Sequence, residues 1–305
     1  MLDQAEALRT LVRDRLICRS ASPRRPRVYT IAVTSGKGGV GKTSISVNLA
    51  LLLARGGRRV RIVDADFGLA NAEVLLGVKP RYTLNDVLQG AVDVRDAWVE
   101  APGGVSLLSS GSGLEEIANI DGSIGATLLD HVLGSVSDGE VVVVDTGPGI
   151  DDQVASLLAL ADEVMMVTTP EPTSVADTYA ALKVLLSRSP AAEITLVANC
   201  CSSPAQASAV AAGIDSVCRR FLNAGFQRHE YLPLDAGVGW AVRMRKPLVL
   251  SSPRSAVVPW LRKTAIRLEE RIRTHAHAGA AARPETRKPV VPVELTAERF
   301  AVVEA

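Results

Sequence analysis

The chain has 305 residues and a formal net charge of +1, with 47% hydrophobic and only 4% aromatic residues. That near-neutral balance excludes a global electrostatic pull on nucleic acid or an anionic membrane, and the length suffices for one large domain with a sizeable core. No apolar stretch has membrane-span length, Asp3 and Glu6 argue against a signal peptide, and Cys18, Cys200, Cys201 and Cys218, without CxxC spacing, read as free thiols of a reducing cytoplasm.

Residues 1–27 form a polar, arginine-rich extension that ends in Ser22-Pro23-Arg24-Arg25-Pro26. Near its start Asp3 can cap a helix on which Ala5, Leu8, Val12 and Leu16 share one face, while Gln4 and Arg9 offer an amide and a charge. Such a helix either packs on its own domain or binds a partner. Residues 28–274 then alternate strand-like and helix-like stretches. Apolar runs near 28–34, 59–64, 105–109, 140–145, 163–168, 193–199 and 228–232 predict buried strands. Segments 43–54, 151–161, 173–188 and 203–223 have helix length. This βα alternation predicts an α/β fold: one doubly wound, mostly parallel sheet with helices on both faces, whose ligands bind beyond the carboxyl ends of the strands. Residues 275–305 contain Ala, Gly and Pro and read as a flexible tail.

Gly36, Lys37, Gly38, Gly39, Val40, Gly41, Lys42 and Thr43 satisfy the phosphate-loop pattern GxxxxGK[ST], between a predicted strand and a predicted helix. Glycines let the backbone curl so that its amides converge on one anion, and Lys42 adds a point charge. Two later strands end in carboxylates: Asp64 and Asp66 after Arg61-Ile62-Val63, and Asp145 after a run of four valines. Mg²⁺ bound to phosphates takes a hydroxyl and carboxylates, often through water, so Thr43 is the expected direct ligand and Asp145 the carboxylate behind it. One aspartate of the Asp64/Asp66 pair is then placed to hold an attacking water.

Lys37 is surplus to an ordinary phosphate loop. With it, residues 37–43 resemble the deviant Walker A loop of the MinD/ParA family of ATPases, and the likeness extends over roughly 28–274. The resemblance implies a MinD-like P-loop fold that hydrolyses ATP to ADP and phosphate with Mg²⁺, binding nucleotide through residues 36–43 and Ser44. It implies an ATP-dependent homodimer in which Lys37 reaches the partner's nucleotide. Asp64-Ala65-Asp66-Phe67-Gly68-Leu69-Ala70-Asn71 resembles the first switch, with Asp66 activating water, Asp64 at the metal and Asn71 near the dimer interface. Asp145-Thr146-Gly147-Pro148-Gly149 resembles the second. Asn199, and Pro233 with Asp235, resemble adenine-contacting positions, and the NKxD pattern of GTPases is absent. Asn199 and Asp235 would equally serve as caps of a helix or turn.

The stretch from Asp64 into Ala72-Glu73-Val74-Leu75-Leu76-Gly77, followed by Thr83-Leu84-Asn85-Asp86, resembles the flagellar-number regulators of the FlhG/FleN type. Asp3, Gln4, Ala5, Leu8 and Arg9 match their DQAxxLR motif, which implies a helix that stimulates an FlhF-type, signal-recognition-like GTPase. A flagellar transcription factor or basal-body component is a further implied partner, and the implied location is cytoplasmic, transiently at the inner face of the cell membrane. Two rival readings share the same engine. Lys263, Arg267 and Arg271 form a basic stripe that reads either as a DNA-phosphate contact or as a solvated face, opposite an apolar stripe of Val258, Leu261, Ala265, Leu268 and Ile272. Leu295, Phe300, Val302 and Val303 offer a membrane contact, weakened by Glu294, Glu298 and Glu304. Iron–sulfur carriers of the superfamily need a CxxC pair that this chain lacks.

Overall fold

In a computed structural model, residues 26–67, 71–111, 122–149 and 151–281 are described. The helix expected from Asp3 to Leu16 and the segment 293–305 lie outside those residues. The strands are β1 (Tyr29–Thr34), β2 (Val60–Ala65), β3 (Val99–Ala101), β4 (Val105–Leu108), β5 (Val141–Thr146), β6 (Glu163–Thr168), β7 (Ile194–Cys201) and β8 (Arg228–Pro233). They form one sheet in the order β3-β4-β2-β5-β1-β6-β7-β8, parallel except where β3 runs against β4. All seven strands expected from apolar runs are present. Strand β3 is additional: three half-exposed or exposed residues on a sheet edge leave no apolar run to detect.

The helices are α1 (Lys42–Arg55), α2 (Ala72–Leu76), α3 (Leu84–Leu88), α4 (Gly122–Ser135), α5 (Asp152–Leu158), α6 (Pro172–Arg188), α7 (Pro204–Leu222), α8 (Ala236–Arg243), α9 (Leu248–Ser251) and α10 (Val257–Ala281). Because strand side chains alternate, each central strand feeds two cores. Val142 and Val144 of β5 pack with Leu128 and Val132 of α4 and Leu182 of α6 on one face. Val141 and Val143 pack with Leu49 of α1 and Leu261 and Leu268 of α10 on the other. Burial on both sides explains why β5 reads as an unbroken run of valines rather than an alternation.

The amino ends of the strands carry three buried glutamates, each matched to arginine. Glu140, just before β5, accepts from Arg61 Nε at 2.5 Å. Glu163, the first residue of β6, accepts from Tyr29 Oη at 3.1 Å and Thr195 Oγ1 at 2.7 Å. It also takes a two-pronged contact from Arg271, with both bonds at 2.7 Å. Glu230 on β8 pairs with Arg267 at 2.8 Å.

These pairs revise the reading of the basic stripe at two of its three positions. Lys263 is exposed, whereas Arg267, partly exposed, and Arg271, mostly buried, direct their charge at carboxylates in the sheet. Helical spacing identified the face but not the partners, which lie more than thirty residues away in sequence. The apolar stripe of α10 packs on the sheet as expected, with Val258, Leu261, Ala265, Leu268 and Ile272 all buried. The helix continues past 274 to Ala281, and the His275 ring sits edge-on to Tyr29 at 5.2 Å. The boundary drawn there from composition therefore falls inside a helix.

Removing Arg271 would leave the Glu163 carboxylate buried without its cation. Arg271→Ala is expected to cost about 3 kcal/mol of unfolding free energy. Arg262→Ala, on the exposed side of the same helix, should stay within about 0.5 kcal/mol. Chemical denaturation of the two variants compares them directly, and unchanged stability in Arg271→Ala would refute the pairing.

Candidate functional site

The loop after β1 turns back into α1 through two left-handed glycines, Gly39 at φ 77° and Gly41 at φ 100°. L-residues with a Cβ rarely adopt that region. Gly36 is constrained by packing instead. A Cβ there would fall 2.2 Å from the Asp177 carbonyl oxygen of α6, so helix and loop touch backbone to backbone. No side chain caps the amino end of α1, and no acidic residue sits in its first turn. Its free amides therefore point into the loop, as an anion site requires.

Lys42 folds over the loop, donating from Nζ to Ser35 Oγ at 3.0 Å, while Ser35 Oγ donates to the Lys37 carbonyl at 2.6 Å. Burial depresses the pKa of the Lys42 ammonium, and the charges of Asp145 and Asp66 oppose that shift. Lys37 does not share this cradle. Its Nζ lies 3.0 Å from Glu171 Oε2 and 2.9 Å from Thr173 Oγ1, at the start of α6.

The parallel register of β2 and β5 sets Asp64 directly beside Asp145, and both are fully out of water. Asp145 accepts from Ser46 Oγ at 2.9 Å and from the Thr43 hydroxyl. Its second oxygen, Oδ2, is buried without a hydrogen-bond partner among the described residues. Burial pushes the Asp145 pKa up to about 6, with Asp66 adding to the shift and Thr43, Ser46 and Lys42 opposing it. Burial, then the neighbouring Asp145, raises Asp64 well above the usual carboxylate range. Asp64 accepts backbone amides at both oxygens, from Asp66 at 3.1 Å and Ala72 at 3.0 Å. It therefore ties the end of β2 to the start of α2. Asp66 is half-buried one residue past β2. Asn71 is exposed immediately before α2.

Asn199 donates to the Val40 carbonyl at 2.8 Å. It reaches the loop because β7 is irregular between Ala198 and Cys201, with Cys200 at φ 57°. Pro233 ends β8 beside Cys201. The Asp235 carboxylate acts as a structural cap: it accepts from Gly237 N at 2.6 Å, and from Ser255 Oγ and Ala256 N at 2.7 Å. Those bonds, led by the one from Ser255, lower its pKa.

The loop residues, Asp64, Asp66, Asp145 and Asn199 thus converge on one edge of the sheet. Ser35, Ser46, Glu171 and Thr173 join them without having been marked by any motif. Ser46 could have been found, since it lies one helical turn beyond Lys42. A cavity of about 540 Å³ lined by Arg61, Arg95 and Asp138 lies at the amino ends of the strands, away from this chemistry. Among the described residues, no helix is long and apolar enough to cross a membrane.

A family described as ParA, the NUBPL iron-transfer P-loop NTPases, matches residues 28–265. Antiactivator FleN of Pseudomonas aeruginosa is 42% identical over 229 residues, spanning 75% of this chain and 81% of FleN. The flagellum site-determining protein YlxH of Helicobacter pylori is 38% identical over 182 residues, spanning 59% of this chain and 60% of YlxH. Among solved structures, the cell-division ATPase MinD of Pyrococcus furiosus superposes with a TM-score of 0.65 at 26% identity, covering 79% of this chain and 98% of that one. MinD of Pyrococcus horikoshii in complex with Mg-ADP superposes with a TM-score of 0.66 at 24% identity, covering 84% and 100%. A likeness that runs through sequence and fold alike makes this chain a member of the ParA family of P-loop NTPases, and an ATPase of the MinD/ParA type.

Proposed function

We propose that this ATPase is a nucleotide-switched dimer that sets flagellar number or placement, acting on a signal-recognition-type GTPase through residues 1–20. The observation that carries the switch is Lys37, a lysine in the phosphate loop that its own cradle does not use. The flagellar part rests on the likeness to FleN and YlxH.

In this reading Lys42 and the loop amides hold the phosphates of ATP, with Gly36 keeping the loop seated on α6. The donor set fits a hard divalent cation: a buried carboxylate oxygen on Asp145, without a partner among the described residues, stands behind the Thr43 hydroxyl in a group of three aspartates beside Lys42. Thr43 and Asp145 would hold Mg²⁺, with Asp64 beside them. When bound, Mg²⁺ supplies positive charge to the phosphate oxygens.

Asp66 accepts a proton of the attacking water and aligns it on the terminal phosphate. Lys37 completes the site across the dimer. Its bonds to Glu171 and Thr173 are solvent-exposed, and an exposed pair is worth about 1 kcal/mol or less, so little opposes its transfer to a partner's phosphate. Asn199 and Pro233 border the adenine, and Asp235 holds α8 behind it.

Asp66→Ala should bind ATP with nearly unchanged affinity, lose about 100-fold or more in turnover, and accumulate as an ATP-bound dimer. Single-turnover hydrolysis and size-exclusion chromatography read the two effects, and normal turnover would remove Asp66 from its role. Deleting residues 1–20 should leave basal ATPase within about twofold while abolishing stimulation of the purified GTPase. Gln4→Ala in the full chain should reproduce that loss. If the deletion unfolds the protein instead, the segment is packing material and the effector reading fails.

A further inference from the structure

We infer that Ser110, seconded by Ser109, is a positioning residue for ATP hydrolysis, fixing the backbone at Asp66. The inference rests on the reading of Asp66 as the residue that aligns water. Asp66 lies one residue beyond β2, where the sheet ladder no longer holds the chain. The last rung between β2 and β4 joins Val63 to Leu108. Continued by two residues, that register brings Ser110 level with Ala65. There a side chain takes over from the ladder: Ser110 Oγ donates to the Asp66 carbonyl at 2.9 Å. The Asp66 amide is held from the other side by Asp64 Oδ1 at 3.1 Å. Both flanking peptide groups of Asp66 are thus anchored, which sets the direction of its Cα–Cβ bond.

The start of α2 is anchored by the neighbouring serine. Ser109 Oγ donates to Glu73 Oε2 at 2.7 Å, in the first turn of α2, while Asp64 Oδ2 takes the amide of Ala72. The Ser109 carbonyl in turn accepts the amide of Leu84 at the start of α3. Both serines have no exposed surface. In that dry setting a hydroxyl is costly unless bonded, and its bonds are directional. On the opposite flank Gly147 lies near the carboxylate: a Cβ added there would make ordinary contact with Asp66 Oδ1, at 3.4 Å. The serine brace thus holds the backbone that carries the carboxylate.

The test is steady-state ATP hydrolysis by the full chain carrying Ser110→Ala, Ser109→Ala, Asp66→Ala or Ser135→Ala, with thermal unfolding of each. Ser135 is the control for a lost hydroxyl: its Oγ donates to the Val132 carbonyl at 2.7 Å at the end of α4, at the opposite edge of the sheet. A misplacement of about 1 Å costs about 100-fold in rate. Ser110→Ala is therefore expected to lower kcat by about tenfold or more with KM for ATP within about twofold, and still to form the ATP-dependent dimer. Ser109→Ala, acting at the start of α2, should fall between it and the unmodified chain. Ser135→Ala, at a half-buried helix position, should keep kcat. An inactive Asp66→Ala beside a Ser110→Ala of normal kcat overturns the positioning role. So does a fall in kcat that merely follows Tm across Ser110→Ala and Ser135→Ala. Should Ser110→Ala not fold, Ser109→Ala carries the test: normal kcat there, with Asp66→Ala inactive, also overturns the brace. A fully active Asp66→Ala instead defeats the reading of Asp66 on which the inference stands.

Discussion

Two aspartates fully removed from water stand side by side at the ends of β2 and β5, and the parallel register that makes the sheet allows them no other arrangement. Like charges so placed repel, and burial alone disfavours each of them. Everything around them answers that problem. Asp64 is met by two backbone amides, one at Asp66 and one at the start of α2. Asp145 is met by hydroxyls from the first turns of α1, and the charges of Asp145 and Asp66 favour the ammonium of Lys42. One oxygen of Asp145 is left without a hydrogen-bond partner among the described residues.

The other edge of the sheet has the same ingredients and the opposite outcome. Glu140, Glu163 and Glu230 are as deeply buried as the aspartates, yet each meets an arginine within 2.8 Å. There the electrostatics are closed within the chain. A carboxylate that the protein satisfies itself contributes to the fold, whereas one left partly unsatisfied is available to a ligand. Composition does not distinguish the two edges; the partners do.

How much of this was legible follows from the range of each signal. The strands showed because burial on both faces makes them continuous apolar runs, and the phosphate loop showed because its chemistry is contiguous in sequence. Strand β3 was hidden by being short and half-exposed. The partners of Arg267 and Arg271 were hidden because helical periodicity reports a face and says nothing about what meets it. Ser109 and Ser110 carry no pattern at all: their roles appear only once β4 is laid beside β2. Asp235 was legible as a polar residue at the end of a strand, but its choice between adenine and helix cap needed Ser255 and Ala256, twenty residues on.

The pairing of α10 with the sheet reaches beyond stability. Its apolar stripe repeats every turn, so hydrophobic packing alone would tolerate a helix displaced by one turn along the groove. Arg267 and Arg271 sit one turn apart and answer to different strands, Glu230 on β8 and Glu163 on β6. A one-turn slip would offer only one arginine a carboxylate and set Lys263 or His275 before the other, in place of a guanidinium's forked contact. The two ion pairs therefore act as a key that selects one axial setting from several of similar hydrophobic merit, a use of buried charge for uniqueness rather than strength.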